Sequence, residues 1–260
     1  MTSGSLQPDG TDGTDGTVGT VAALWRYPVK SMRGEQPASA AVDRRGLVGD
    51  RQWAVWDAEG RFGACKDTNR FRRMDGLLDF VTGYPQDPTD AAACRPQLLA
   101  PDGTRHPVPS PAADAAVRAH LGRTDVRLMA EASTAHHDAA PLHVVSTATL
   151  DWYRRQLEDV PTDERRLRPN LVLRLPGAEA FAEDAWEGRS LRIGGGADAV
   201  LARFVKHTTR CRTLNVAQGD LPSTSRGLKS LAGRDLKLGV YLEVLEGGRI
   251  RLGDPVAFVD

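Results

Sequence analysis

Apolar and polar positions alternate along this chain only in short runs. "VAALWRYPVKS" (21–31) reads as a strand stopped at Pro28, because proline cannot donate to a sheet ladder. Residues 46–67, "GLVGDRQWAVWDAEGRFGACKD", predict a hairpin: "QWAVWD" alternates, "AEG" turns and "RFGACK" returns. The scheme recurs in "QLLAPDGTRHPV" (97–108) around a "PDG" turn. "SPAADAAVRAHLG" (110–122) carries helix signals, with Ser110 as cap, Pro111 in the first position and Gly122 as the stop.

A second set of elements follows a loop-rich stretch, "AEASTAHHDAAP" (130–141), which reads as a junction between halves. "LHVVS" (142–146) predicts a strand, and "TATLDWYRRQL" (147–157) a helix capped by Ser146. "RPNLVLRL" (168–175), "SLRIGG" (190–195) and "AVLARFVKH" (199–207) predict further strands, and residues 238–260 a hairpin turning at Gly247 and Gly248. Short strands with frequent Gly and Pro and few helices imply an α+β fold rich in β-barrel structure. Residues 1–19 are dominated by Gly, Thr and Asp, cannot bury a core, and predict a disordered tail. They have neither a basic start nor an apolar stretch, so they do not read as a signal peptide.

Composition narrows the classes. The chain has 260 residues, a formal net charge of zero and 40% hydrophobic residues. That length suits one large domain or two small ones. A neutral balance argues against a nucleic-acid binder. No apolar run approaches the roughly 18 residues of a membrane span. Three cysteines at wide spacing, with no C-x-x-C pair, argue against a zinc finger, an iron–sulfur site or a disulfide scaffold. A reducing cytoplasm is the simplest compartment.

The chemistry gathers at a few positions. In "FVKHTTRCRTLNV" (204–216) a single thiol, Cys211, lies between Arg210 and Arg212. A positive potential lowers a thiol pKa, and a thiolate is a nucleophile or a soft metal ligand. The other reading is a buried structural cysteine, the commonest fate of a free thiol; Cys65 and Cys94 are read that way. Lys30 and Ser31 follow the broken strand, where an ammonium, a hydroxyl and main-chain N–H groups can meet an anion. Arg51 offers a bidentate fork. Arg168 and Asn170 bracket Pro169 and, in an extended segment, project to one side. Each of these also has a plain reading as turn or strand-edge polarity. Glu183 and Asp184, beside Phe181 and Trp186, read as a solvated turn, and the adjacent His136 and His137 read as exposed.

Taken in order, "YPVKSMRGE", "GDRQWAVWDAEGRF", "RPNLVLRLPGAEAFAEDAWEGRSLRIG", "TRCRTLNV" and "GVYLEVLEGGRIRLGDPV" resemble the MOSC family, the molybdenum-cofactor sulfurase C-terminal domain preceded by its N-terminal β-barrel domain. The resemblance implies an N-terminal barrel domain over 20–129 and a MOSC domain over 130–260. It implies a pyranopterin dithiolene molybdenum cofactor with Cys211 as the metal ligand and catalytic centre and Arg210 against the cofactor. Lys30, Ser31 and Arg51 match residues that hold the pterin and its phosphate, Arg168 and Asn170 an Arg–Pro–Asn contact, and Ser146 to Thr149 a segment near the pterin. The amidoxime-reducing components within the family imply reduction of a small N-hydroxylated substrate. Electrons would come from a separate flavoprotein or ferredoxin. The alternative is a cofactor or persulfide carrier using Cys211. The lead-in "KHTT" and the later turn "VAQGD" depart from the family pattern.

Overall fold

The structure, a computed structural model, describes residues 16–90 and 95–259. Seven strands close into a barrel in the order Thr17–Leu24, Leu171–Arg174, Leu142–Ser146, Lys237–Glu246, Val200–Thr209, Ser190–Ile193 and Pro255–Val259. Side chains on a strand alternate between faces, so a period of two sets which ones fill the barrel. In "KLGVYLEVLE" that period buries Leu238, Val240, Leu242 and Val244 while Tyr241 and Glu243 face outward. Val21, Leu24, Leu173, Leu191 and Val256 meet Val240, Leu242 and Val244 in one cluster.

Closure is long-range. The first strand runs antiparallel to Leu171–Arg174, with Leu24 opposite Leu171, and to the last strand, with Thr17 opposite Ala257. A strand from before the 130–141 junction therefore completes the barrel. The first strand also starts earlier than expected, at Thr17 and not at residue 20, because "TVGTVAAL" turns Val21 and Leu24 into the core. Gly19 permits the pairing: a Cβ there would lie 2.2 Å from the Arg174 carbonyl oxygen. The remainder of the tail expectation, residues 1–15, falls outside the described residues, as does Cys94.

The expected hairpin over 238–260 does not form. Gly248–Arg251 pairs with Ser39–Asp43, Gly248 standing opposite Val42. Lys237–Glu246 pairs within the barrel. Gly247 and Gly248 allow a close crossing instead of a turn: a Cβ on either would meet the carbonyl oxygen of Val42 at 2.5 Å or of Asp198 at 2.2 Å.

Of the smaller sheets, the one formed by Gly248–Arg251, Ser39–Asp43 and Gly46–Leu47 packs onto the barrel core through Ala40, Val42, Leu47 and Ile250, and the other two build around a second core that holds Trp53, Val55, Leu98, Val117 and Leu128. The hairpins expected at 46–67 and 97–108 are present, with Trp56 opposite Phe62 and Leu98 opposite His106. The helix Pro111–Leu121 is capped as its sequence implies: Ser110 accepts from the Ala113 N–H at 3.0 Å, and Gly122 adopts φ 61°. The predicted strand 21–31 ends at Leu24. Beyond it the chain leaves the barrel core at Leu24 and enters the second core at Val29 and Met32, so Lys30 and Ser31 sit where the two meet. Among the described residues no helix is long and apolar enough to cross a membrane.

Candidate active site

A cleft enclosing about 760 Å³ of atom-free space, its open mouth included, is lined by Lys30, Arg51, Lys66, Arg168 and Arg210 around Cys211. Asp138 is the one acidic side chain in its wall. A chain of zero net charge thus concentrates five cations at one thiol. Field lines in such a recess favour an anionic ligand.

The backbone is strained to aim these groups. Six non-glycine residues have positive φ among the described residues, and three are in the cleft: Ser31 at 64°, Arg51 at 49° and Arg168 at 53°. Each left-handed residue costs about 1–3 kcal/mol, and such strain collects at functional sites. Ser31 is fastened by its Oγ donating to the Gly63 carbonyl at 2.9 Å. The Arg51 N–H donates to the Tyr27 carbonyl at 2.7 Å, and its guanidinium pairs with the fully buried Asp50. Desolvation works to lower the Arg51 pKa, and the Asp50 carboxylate, together with Asp138 and Tyr27, more than offsets it.

Lys30 is 4% exposed and meets Asp138 at 3.0 Å, with its Nζ 5.1 Å from the Phe71 ring centroid. Desolvation lowers its pKa against the pull of Asp138. Desolvation also works to raise the Asp138 carboxyl, but the Lys30 ammonium overrides it and holds the group well below the usual carboxylate range.

Arg168 is the exception to this pairing. Its guanidinium carbon stacks 4.1 Å from the Tyr27 ring centroid, yet both terminal nitrogens are buried without a hydrogen-bond partner among the described residues. Burial pushes its pKa down. An unpaired buried cation is costly and calls for an anion. Arg210 is anchored by donating to the Leu167 carbonyl at 2.5 Å and to His143 Nε2 at 3.2 Å. Since an arginine only donates, His143 carries its proton on Nδ1 and gives it to the Arg168 carbonyl at 3.3 Å. Burial, then Arg210, hold the His143 pKa well below its ordinary value.

Cys211 precedes a single 3₁₀ turn, Arg212–Asn215, and its Sγ lies 3.3 Å from the Thr213 hydroxyl. Thr213 also faces a second thiol, Cys65, which lines the same cleft. The structural reading of Cys65 is therefore corrected: the hairpin's return limb carries it into the cleft, where desolvation raises its pKa. Among the described residues no group of three or more His, Cys, Asp or Glu is placed to hold a metal ion. A metal at Cys211 would need its other ligands from a cofactor.

Of the residues singled out in the sequence, Lys30, Ser31, Arg51, Arg168, Arg210 and Cys211 share the cleft. Asn170, Ser146 and Thr149 are not in its wall. Asn170 is a buried fastener: its Oδ1 accepts from the His143 N–H at 3.1 Å and from Arg51 at 3.3 Å, and its Nδ2 donates to the Trp25 carbonyl at 3.3 Å. Ser146 caps the helix Thr147–Gln156, accepting from the Thr149 N–H at 3.1 Å and donating to the Thr149 hydroxyl at 3.0 Å.

Two solvated readings are overturned. His136 and His137 are buried. Trp56 donates to His136 Nε2 at 3.2 Å, so Nδ1 carries the proton and donates to the Arg51 carbonyl at 3.0 Å. Glu183 is fully buried and accepts from the Ser146 N–H at 3.0 Å, while Asp184 pairs with Arg234.

The pattern described as the MOSC domain matches residues 131–257, and that of the MOSC N-terminal beta barrel domain matches residues 18–79. The chain belongs to the MOSC family. This MOSC protein is 29% identical to mitochondrial amidoxime-reducing component 1 of Mus musculus over 283 residues, covering 90% of this chain and 81% of that protein. The Homo sapiens protein of the same name is also 29% identical, with the same coverage. Among solved structures, the YUAD protein from Bacillus subtilis aligns with a TM-score of 0.46 at 12% identity, covering 92% of this chain and 93% of that one.

Proposed function

We propose that this MOSC protein reduces small N-hydroxylated compounds with a molybdenum cofactor held in the cationic cleft. The observation that carries the reading is the buried, unpartnered guanidinium of Arg168 in the same cleft as Cys211. A pyranopterin dithiolene is anionic through its phosphate and sulfurs, and the donor set fits it. Lys30, Arg51 and Lys66 would meet the phosphate, Arg168 and Arg210 the rest of the pterin, and the Cys211 thiolate the metal. Similarity to amidoxime-reducing components supports the substrate class.

When bound, the cofactor supplies the two-electron redox chemistry that turns N–OH into N–H, with two protons taken up and water released. The chain's own groups bind and orient. Asp50 keeps Arg51 charged, and the Nδ1–H of His143 fixes the loop that carries Arg168. Burial pushes the Tyr241 phenol up to about 12, so its Oη stays protonated in the cleft wall as a donor to the substrate. Electrons come from a separate flavoprotein or ferredoxin in this reading.

The test is metal and pterin content of the chain purified from a cofactor-competent host. The expected result is near one of each per wild-type chain, with metal lost or differently coordinated in Cys211→Ala. Neither metal nor pterin in the wild type would overturn the proposal. The carrier alternative draws on one observation, the second thiol Cys65 beside Cys211, which suits sulfur exchange. It predicts facile cofactor release and no turnover.

A further inference from the structure

Behind Arg168 lies a second recess, of about 500 Å³ with its open mouth included, lined by Trp25, Tyr27, Arg33, Val81, Arg168 and Gln218 among others. Its polar groups share one feature. Trp25 Nε1, Tyr27 Oη and Gln218 Nε2 are buried and have no hydrogen-bond partner among the described residues. The three side chains are respectively 8%, 1% and 1% exposed. Arg33 Nε and both terminal nitrogens of Arg168 are orphaned as well. An indole N–H and a guanidinium can only donate, and burial raises the Tyr27 pKa, which keeps the phenol protonated and able to donate. Among the described residues no Asp or Glu lines the recess. Arg165, at its edge, is already committed to Asp163 and Asp220.

Buried donors without acceptors are rare in a folded protein, and several on side chains that line one recess mark a place for a ligand rich in acceptors. The rest of the wall is carbon. The Trp25 and Tyr27 rings lie 10° from parallel with centroids 6.2 Å apart, and Val81 adds an aliphatic face. An inorganic oxyanion would leave those faces unused.

We propose that this recess binds the carboxylate of a small organic acid, with Trp25, Tyr27, Arg33, Gln218 and Arg168 as donors and the aromatic faces and Val81 against its carbon body. Arg168 is shared with the Cys211 cleft, while Trp25, Tyr27, Arg33 and Gln218 line this recess and not the cleft, so the site does not depend on the cofactor reading. Because Arg168 lines both spaces, an acid bound here lies next to the Cys211 cleft.

The test follows the Trp25 indole N–H resonance of the full chain, assigned by its absence in Trp25→Phe, while benzoate is added. Inorganic phosphate is the comparison. The expected result is a saturable shift with benzoate, weakened about tenfold or more in Gln218→Leu, and a weaker response to phosphate. Arg33→Met provides the same readout should Gln218→Leu fail to fold. A Trp25 resonance that does not move with benzoate would overturn the proposal. So would unchanged affinity in the folded variants, or phosphate binding as tightly as benzoate.

Discussion

Replacing Arg168 with Met should make the cofactor-free protein more stable while weakening its hold on an anion. The guanidinium is buried and its terminal nitrogens have no hydrogen-bond partner among the described residues, so folding strips its hydration with only the Tyr27 stack in return. Exchanging buried ionic groups for apolar ones of similar size gains about 1–4 kcal/mol. The stack on Tyr27 at 4.1 Å is lost, which returns about 0.5–2 kcal/mol. The φ of 53° is unchanged, since Met has the same backbone preferences as Arg, so the strain term cancels. The net expectation is a gain of about 1–2 kcal/mol, or a Tm higher by about 2–8 °C for a chain of this size. Thermal and urea unfolding of the cofactor-free full chain, wild type against Arg168→Met, reads this directly. A loss of more than about 1 kcal/mol would refute the reasoning, because it would mean the guanidinium is satisfied within the fold.

Asn170→Ala should act in the opposite sense: the Trp25 carbonyl and the His143 N–H lose their buried partner, about 1–3 kcal/mol each, and denaturant midpoints should fall even without cofactor. An unchanged midpoint would return Asn170 to the role of a ligand contact. Stability should also drop as the pH falls from about 6.5 to 4. Burial, as the largest cause, lowers His136 and His137 to about 4, so in that window the unfolded chain binds more protons. Each adds a slope of about 1.4 kcal/mol per pH unit. His136→Gln should flatten the acid limb, and a curve identical to wild type would contradict the buried neutral imidazole. Cys65 and Cys211 line one cleft, so a bulky maleimide on Cys211 should slow modification of Cys65. Equal rates before and after labelling would place the thiols in separate spaces.

Where side-chain identity and local backbone together decide, the sequence was legible. Lys30 and Ser31 follow Pro28, Arg51 follows a Gly–Asp step, and Arg168 precedes a proline; each sits at a break where the chain turns toward the cleft. Ser110 and Ser146 cap helices as their positions imply. Long-range pairing was hidden. The glycines at 247 and 248 carry turn chemistry, yet they serve a crossing past Val42 and Asp198 that only the tertiary fold creates. Cys65, Lys66, Asp138, His143 and Tyr241 reach the cleft from a hairpin limb, a loop and two barrel strands, and nothing in their neighbouring residues signals it. The polar loop around His136 gave no hint that Trp56 and the Arg51 carbonyl would enclose its ring.

Under the proposed function, Cys211 and its surrounding cations serve reduction of N-hydroxylated molecules. The most direct measurement is anaerobic single turnover: cofactor-loaded chain, chemically reduced and freed of excess reductant, mixed with an aromatic amidoxime. Close to one amidine per loaded wild-type chain is expected, and none from Cys211→Ala. A fully loaded, fully reduced wild-type chain that leaves the amidoxime intact would contradict it.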